Sequence, residues 1–155
     1  MMKSILFVLL ILSVIASSCD KDKFQTKPTI TLKGINGDFI PQNGSLVLDL
    51  EVTDKEGDVQ DSVIIIKRRL NKRVVTTIRD TLRYTIPNFP SSPKTQIQVT
   101  LDYQAILSAL NPPTIPGSNP PQREPDTLQL RLAVRDRAGN TSDTIETQNI
   151  YVFRQ

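Results

Sequence analysis

Asp54, Glu56 and Asp58 alternate in the segment DKEGD, and Asp136, Asn140 and Asp143 sit in DRAGNTSD. Carboxylate and amide oxygens gathered in this way suit a hard cation such as Ca²⁺, which takes about six to eight oxygen ligands. If the two segments converge, Asp54, Glu56, Asp58, Asp136 and Asn140 are the expected ligands. The spacing is not that of an EF-hand. A competing reading is turn chemistry: Asp and Asn bond exposed turn amides, while Gly57 and Gly139 tolerate positive φ.

The segment KRRLNKR places Lys67, Arg68, Arg69, Lys72 and Arg73 within seven residues. Between two apolar strands, such a run is expected at a hairpin tip. There it can touch the phosphates of anionic lipid or lipopolysaccharide. Equally, it can stay solvated and protect a strand edge from pairing. Nucleic acid is not an expected partner, because no aromatic platform accompanies the cations.

An Asp–Ser/Thr–aliphatic triplet occurs four times, at Asp61-Ser62-Val63, Asp80-Thr81-Leu82, Asp126-Thr127-Leu128 and Asp143-Thr144-Ile145. Composition alone gives on the order of one. The triplet resembles the O-glycosylation acceptor motif of exported proteins in some bacterial groups. That resemblance implies Ser62, Thr81, Thr127 and Thr144 as acceptors. Alternatively, Asp closes a turn and a hydroxyl residue opens the following strand.

What is missing limits the chemistry further. The chain has no histidine and no tryptophan, and Cys19 is its single thiol. Without imidazole the usual general base is absent, along with the commonest transition-metal ligand. One thiol allows no intrachain disulfide and no cysteine zinc site. Ser–His–Asp and Cys–His nucleophiles are excluded. An enzyme would need an Asp/Glu pair or a Ser–Lys arrangement, yet every carboxylate that can be placed falls in a turn or on a wet face. No catalysis is expected, and no cofactor apart from the candidate Ca²⁺.

Cys19 itself ends a distinctive leader. Lys3 is followed by the apolar run ILFVLLILSVI, residues 5–15, and then by Ala16, Ser17 and Ser18. A positive start, a short apolar stretch and small residues make an export signal, too short to span a bilayer comfortably. IASSC resembles the lipobox of bacterial lipoproteins, with Ile15 in place of the more usual Leu. The resemblance implies cleavage before Cys19, lipid on its thiol and acylation of the new amino group. Several acyl chains, at about 0.8 kcal/mol per buried CH₂, make the anchoring stable. Asp20, directly after the cysteine, resembles an inner-membrane retention signal in some bacteria. In others a short charged, acid-containing run there looks like a signal for export to the cell surface. The expected division is a signal peptide over residues 1–18, a tether over 19–28 and one domain over 29–155. The 19 Lys and Arg against 16 Asp and Glu give a formal charge of +3, one unit of it from Lys3 in the leader. The remainder is close to neutral and carries no polyanion-binding footprint.

Elements that position these residues are strands. SLVLDLEVTD alternates cleanly, with Leu46, Leu48, Leu50 and Val52 on one face. DTLQLRLAVRD does the same with Leu128, Leu130, Leu132 and Val134, as do TITL and TQIQVTL. Period-two alternation marks sheets with one wet face. SVIIIK is a continuous apolar run, expected in a more deeply buried strand. VVTTIRDTLRYTI alternates with an interruption near Arg79 and Asp80. The last strand, residues 144–153, needs a bulge near Gln148 and Asn149 to reconcile its two parities. Tyr103, Ile106, Leu107 and Leu110 follow a helical period, with Asp102 as N-cap and Asn111-Pro112 as terminator. Residues 111–125 hold six prolines in 15 and read as an irregular loop.

LAVRDRAGNTSD, residues 132–143, resembles the penultimate strand and following turn of bacterial immunoglobulin-like and fibronectin-III-like domains. LEVTDKEGDVQDSVIII, residues 50–66, is similar to their second-to-third strand passage. The resemblance implies an all-β, immunoglobulin-like β-sandwich of about seven strands, with one short helix before the penultimate strand. It also puts the two acidic loops at the same end. The expected function is that of a lipid-anchored envelope lipoprotein acting as a binding or scaffolding module. Its partners are the membrane, through Cys19, and an envelope protein or glycan. The outer membrane is the expected location, with the inner membrane as alternative. The rival reading is a small accessory subunit of an outer-membrane transport or secretion assembly.

Overall fold

Leu46, Leu48, Leu50 and Val52 occupy every second position of Leu46–Thr53, with one consequence: these four side chains point the same way and are buried, while their neighbours face the other side. Repeated along the chain, this pattern builds two facing sheets. The computed structural model describes residues 27–154; the leader, Cys19 and most of the tether lie outside the described residues.

In chain order the strands are β1 (Thr29–Ile35), β2 (Phe39–Ile40), β3 (Leu46–Thr53), β4 (Ser62–Arg69), β5 (Thr81–Thr85), β6 (Lys94–Leu101), β7 (Asp126–Arg135), β8 (Ile145–Glu146) and β9 (Ile150–Val152). One sheet has the order β1-β3-β6; the other runs β2-β9-β7-β4-β5, with β8 also on β7. Pairing is antiparallel except for β2 with β9, which run parallel. The core lies between the sheets, where Leu46, Leu48, Leu50 and Leu101 meet Ile65, Leu128, Leu130, Leu132 and Ile150. Each such side chain contributes about 1.5–3 kcal/mol by leaving water.

Several expectations hold in detail. SVIIIK forms the interior strand β4, between β7 and β5, with Val63 and Ile65 buried and Ile64 and Ile66 half-buried on the other face. The last strand is broken near Gln148 and Asn149 into β8 and β9. There Thr147 turns inward: Leu130 N–H donates to its hydroxyl at 3.0 Å. The segment 74–86 is strand only from Thr81 onward, after the expected break, with Thr77 bridging Ala109 in isolation.

The helix is shorter than its apolar period predicts. It covers one turn, α1 (Tyr103–Ile106), and Leu107 already has an extended ψ of 135°. Asp102 caps it as expected, accepting from Ala105 N–H at 2.8 Å. What stops it is competition from outside. Lys67 Nζ donates to the carbonyls of Ala105 and Leu107, at 2.9 and 2.5 Å. Asp126 Oδ2 accepts from the amides of Ser108 and Ala109, at 2.8 and 3.2 Å. Groups that a second turn would use are already bonded to the neighbouring sheet.

Candidate functional site

The loops carrying the two acidic segments end side by side. Arg137 N–H donates to Asp58 C=O at 3.0 Å, joining the β3–β4 connection to the turn after β7. Asp54 and Asp136 are buried, Asp58 is half-buried, and Glu56 and Asp143 are exposed. Asp136 is fully used within its own turn, accepting from Asn140 N–H at 2.7 Å and Asn140 Nδ2 at 2.9 Å. Asp143 pairs with Lys27 at 2.5 Å. Asp54 Oδ2 accepts from Asp58 N–H at 3.2 Å, whereas Asp54 Oδ1 and Asp58 Oδ1 are buried without a hydrogen-bond partner. The five expected ligands are therefore brought to one end of the sandwich. Among the described residues, however, no group of three acidic side chains is arranged around a common metal position. Two free carboxylate oxygens are what the pair offers a cation.

Burial pushes the Asp58 carboxyl above its ordinary value, and the adjoining Asp54 carboxyl and the charges of Asp136 and Glu56 push the same way. A carboxyl whose pKa rises on folding binds its proton more tightly in the folded state. Its contribution is therefore complete below the unfolded pKa, about 3.9, and is lost as pH climbs through the raised value. Asp58→Asn should raise the melting temperature at neutral pH, because an amide can donate to the orphaned Asp54 oxygen. The difference from wild type should vanish in acid. Melts across pH check this; a lower melting temperature for the variant at neutral pH would contradict it. The same melts repeated with Ca²⁺ show whether a cation replaces the proton, since it would stabilise wild type and not the variant.

The cationic run is divided by the fold rather than presented as one surface. It does not form a tight hairpin tip: β4 ends at Arg69 and β5 begins at Thr81. Lys67 points inward and is 5% exposed. Burial lowers its pKa, opposed by the charges of Asp80 and Asp126. The Arg69 side chain lies against Glu124 and Asp126, each at 4.0 Å, and Arg73 pairs with Glu124 at 3.2 Å. Arg68, Lys72 and Arg73 are exposed. The alternation of β4 explains the split, since Lys67 follows Val63 and Ile65 on the inner face.

The four Asp–Ser/Thr triplets also separate. Ser62 is buried, donating to Asp61 at 3.0 Å and accepting from Arg83 at 3.2 Å. Thr127 is half-buried within β7, while Thr81 and Thr144 are exposed. In the folded chain only these last two hydroxyls stand freely in solvent.

Sequence reasoning missed an aromatic row. Phe39 on the edge strand β2 is 62% exposed and stacks with Tyr151 at 5.2 Å and Phe153 at 6.3 Å between ring centroids. The parallel register sets Phe39 against Tyr151. Next on the same outer face comes Thr127, opposite Tyr151; beyond it on β7 is Gln129, opposite Arg68. A stripe of three rings thus runs into a hydroxyl, an amide and a guanidinium. The signal was present in part: Tyr151 and Phe153 have the parity opposite to buried Ile150 and Val152. Phe39 gave none, because the two residues of β2 are too few to show alternation.

No family model matches the chain, and no curated protein matches it. Two solved structures are similar to it. One is Spo0M, a sporulation control protein from Bacillus subtilis, at 12% identity and a TM-score of 0.44, covering 83% of this chain and 50% of that one. The other is a mutant of the SrpA adhesin from Streptococcus sanguinis, at 21% identity and a TM-score of 0.40, covering 82% of this chain and 57% of that one. The chain thus spans about half the length of the structures it matches. The described residues are mostly β, in two sheets and nearly without helix.

Proposed function

We propose that this chain is a lipid-anchored lipoprotein of the bacterial envelope whose immunoglobulin-like domain, of fibronectin-III type, binds an envelope glycan. The strand order supports the domain type: β1-β3-β6 and β9-β7-β4-β5 correspond to the A-B-E and G-F-C-C′ sheets of that arrangement. The leader residues and Cys19 support the anchor, with the outer membrane as its location. Binding in place of catalysis accords with a chain lacking imidazole and spending its one thiol on lipid.

The observation that carries the glycan reading is the row of exposed Phe39 and Phe153 with half-buried Tyr151, beside Thr127, Gln129 and Arg68. Flat apolar rings flanked by hydrogen-bonding side chains match a sugar, which offers C–H faces and hydroxyl rims. Large exposed rings in a patch cost solubility and mark contact surfaces. Two variants test the two halves. Cys19→Ser should move the protein from the membrane to the soluble fraction; continued membrane fractionation removes the anchor. Phe39→Ala, at an exposed position, should leave the melting temperature nearly unchanged. It should also weaken retention on isolated envelope polysaccharide by about tenfold, since losing one stacked ring costs on the order of 1 kcal/mol or more. Equal retention of variant and wild type, or none by either, removes the glycan reading.

A further inference from the structure

The two edges of the three-stranded sheet are built differently. β1 is bulged between Leu32 and Gly34 and carries Lys33, devices that keep an edge strand from pairing with another chain. β6 has no such protection. It runs in unbroken register against β3, from Lys94 opposite Thr53 to Leu101 opposite Leu46. From Thr95 to Leu101 it contains no charge, proline or glycine. Among the described residues β6 pairs with β3 alone, which leaves its other side open. Alternate backbone N–H and C=O groups therefore point outward from an eight-residue strand. Beside them lies a trough of about 400 Å³ bordered by Ile86, Pro87, Phe89 and Ile97. Ile97, on the inward parity, is only half-buried, whereas Leu101 on the same face is fully buried.

Outward-facing ladder groups call for an extended strand, and the sequence of β6 specifies which. Consider β6 laid antiparallel to a second copy of itself about a twofold axis through Gln98. Ile97 then faces Val99 and Thr95 faces Leu101 on the inner side. Gln96 faces Thr100 on the outer side, and Gln98 faces Gln98. One step beyond, Lys94 of each copy, which also pairs with Glu51 of its own chain at 2.9 Å, meets Asp102 of the other, whose second carboxylate oxygen is not used in capping α1; both residues are exposed. The ladder thus closes with an opposite-charge pair at each end, and no like charges meet along it. A slip of two residues in either direction forfeits both charge pairs. We propose that the chain forms a twofold homodimer through β6–β6 pairing, which joins two three-stranded sheets into one of six strands.

Position 98 supplies the test, because it lies on the axis and faces solvent. The purified protein should sediment as a dimer. Gln98→Lys sets two ammonium groups against each other and should weaken association by about tenfold or more. The fold should survive, because Asp49, which accepts from Gln98 at 2.9 Å, can accept from an ammonium. Gln98→Glu should likewise be monomeric. Mixing the two variants should restore a dimer containing one of each, a rescue that a merely structural role of Gln98 would not give. A wild type that stays monomeric up to its solubility limit overturns the proposal, even if it captures a foreign strand. So does a dimer that Gln98→Lys leaves intact.

Discussion

Asp126→Ala should destabilise the fold by about 3–5 kcal/mol, lowering the melting temperature by more than about 10 °C. Asp126 opens β7 and is 0% exposed. Its Oδ2 collects three donors: the amides of Ser108 and Ala109 and, at 2.7 Å, the Arg154 guanidinium. Arg69 Nε lies 4.0 Å from its other oxygen. Removing the carboxylate leaves two amides without their acceptor and the largely buried Arg154 guanidinium without its counter-charge, while Arg69 keeps only Glu124, at 4.0 Å. Leaving a buried charge uncompensated is among the most costly changes a single substitution can make. Arg154→Met exposes the same dependence from the other side, stranding the carboxylate. The double variant should therefore lose less than the sum of the two single losses in urea denaturation. Strict additivity would mean that the pair does not act as a unit.

That cluster marks where the sequence stopped being legible. Alternation in LVLDLEV and TLQLRLAV places the core leucines of β3 and β7 correctly, because side-chain direction in a strand depends only on neighbours one residue away. The Asp102 cap and the break before Thr81 are local in the same sense. Asp126 and Lys67 are not. In the sequence Asp126 is one of four similar triplets and Lys67 one of five cations. Their roles come from Arg154, 28 residues away, and from the carbonyls of Ala105 and Leu107, about 40 residues away. The same contacts explain why the predicted helix stops after one turn, since an apolar period cannot register competition from a distant side chain. The acidic loops fall between these cases. Their turns, with the Asp58 N–H bond to Asp54, could be read directly, but the bond from Arg137 N–H to Asp58 C=O depends on how two separate loops end together. The aromatic row depends on β2, whose parallel pairing with β9 joins strands more than 100 residues apart.

Gly57→Ala should cost about 2–4 kcal/mol, and Gly139→Ala only about 1–2, although both glycines occupy the left-handed region. Their φ angles are +70° and +92°. A β-carbon pays a similar backbone penalty at each. They differ in what that carbon meets. At Gly57 it would lie 2.8 Å from Ser92 N and 3.0 Å from Ser92 C, both backbone atoms. That backbone is held in place: Ser92 N–H donates to Gly57 C=O at 3.2 Å, and Asp54 N–H donates to Pro93 C=O at 3.0 Å. Relieving the clash means moving the segment that leads into β6, so the register of β6 on β3 pays for the extra methyl group. At Gly139 the nearest atom is the Arg135 guanidinium at 3.3 Å, the mobile end of a long side chain that can swing aside. Urea denaturation of the two variants measures the difference directly. Equal losses would mean that the left-handed backbone alone sets the requirement for glycine in these turns. A larger loss at Gly57 would mean that the acidic loop also serves as the brace between β3 and the entry to β6.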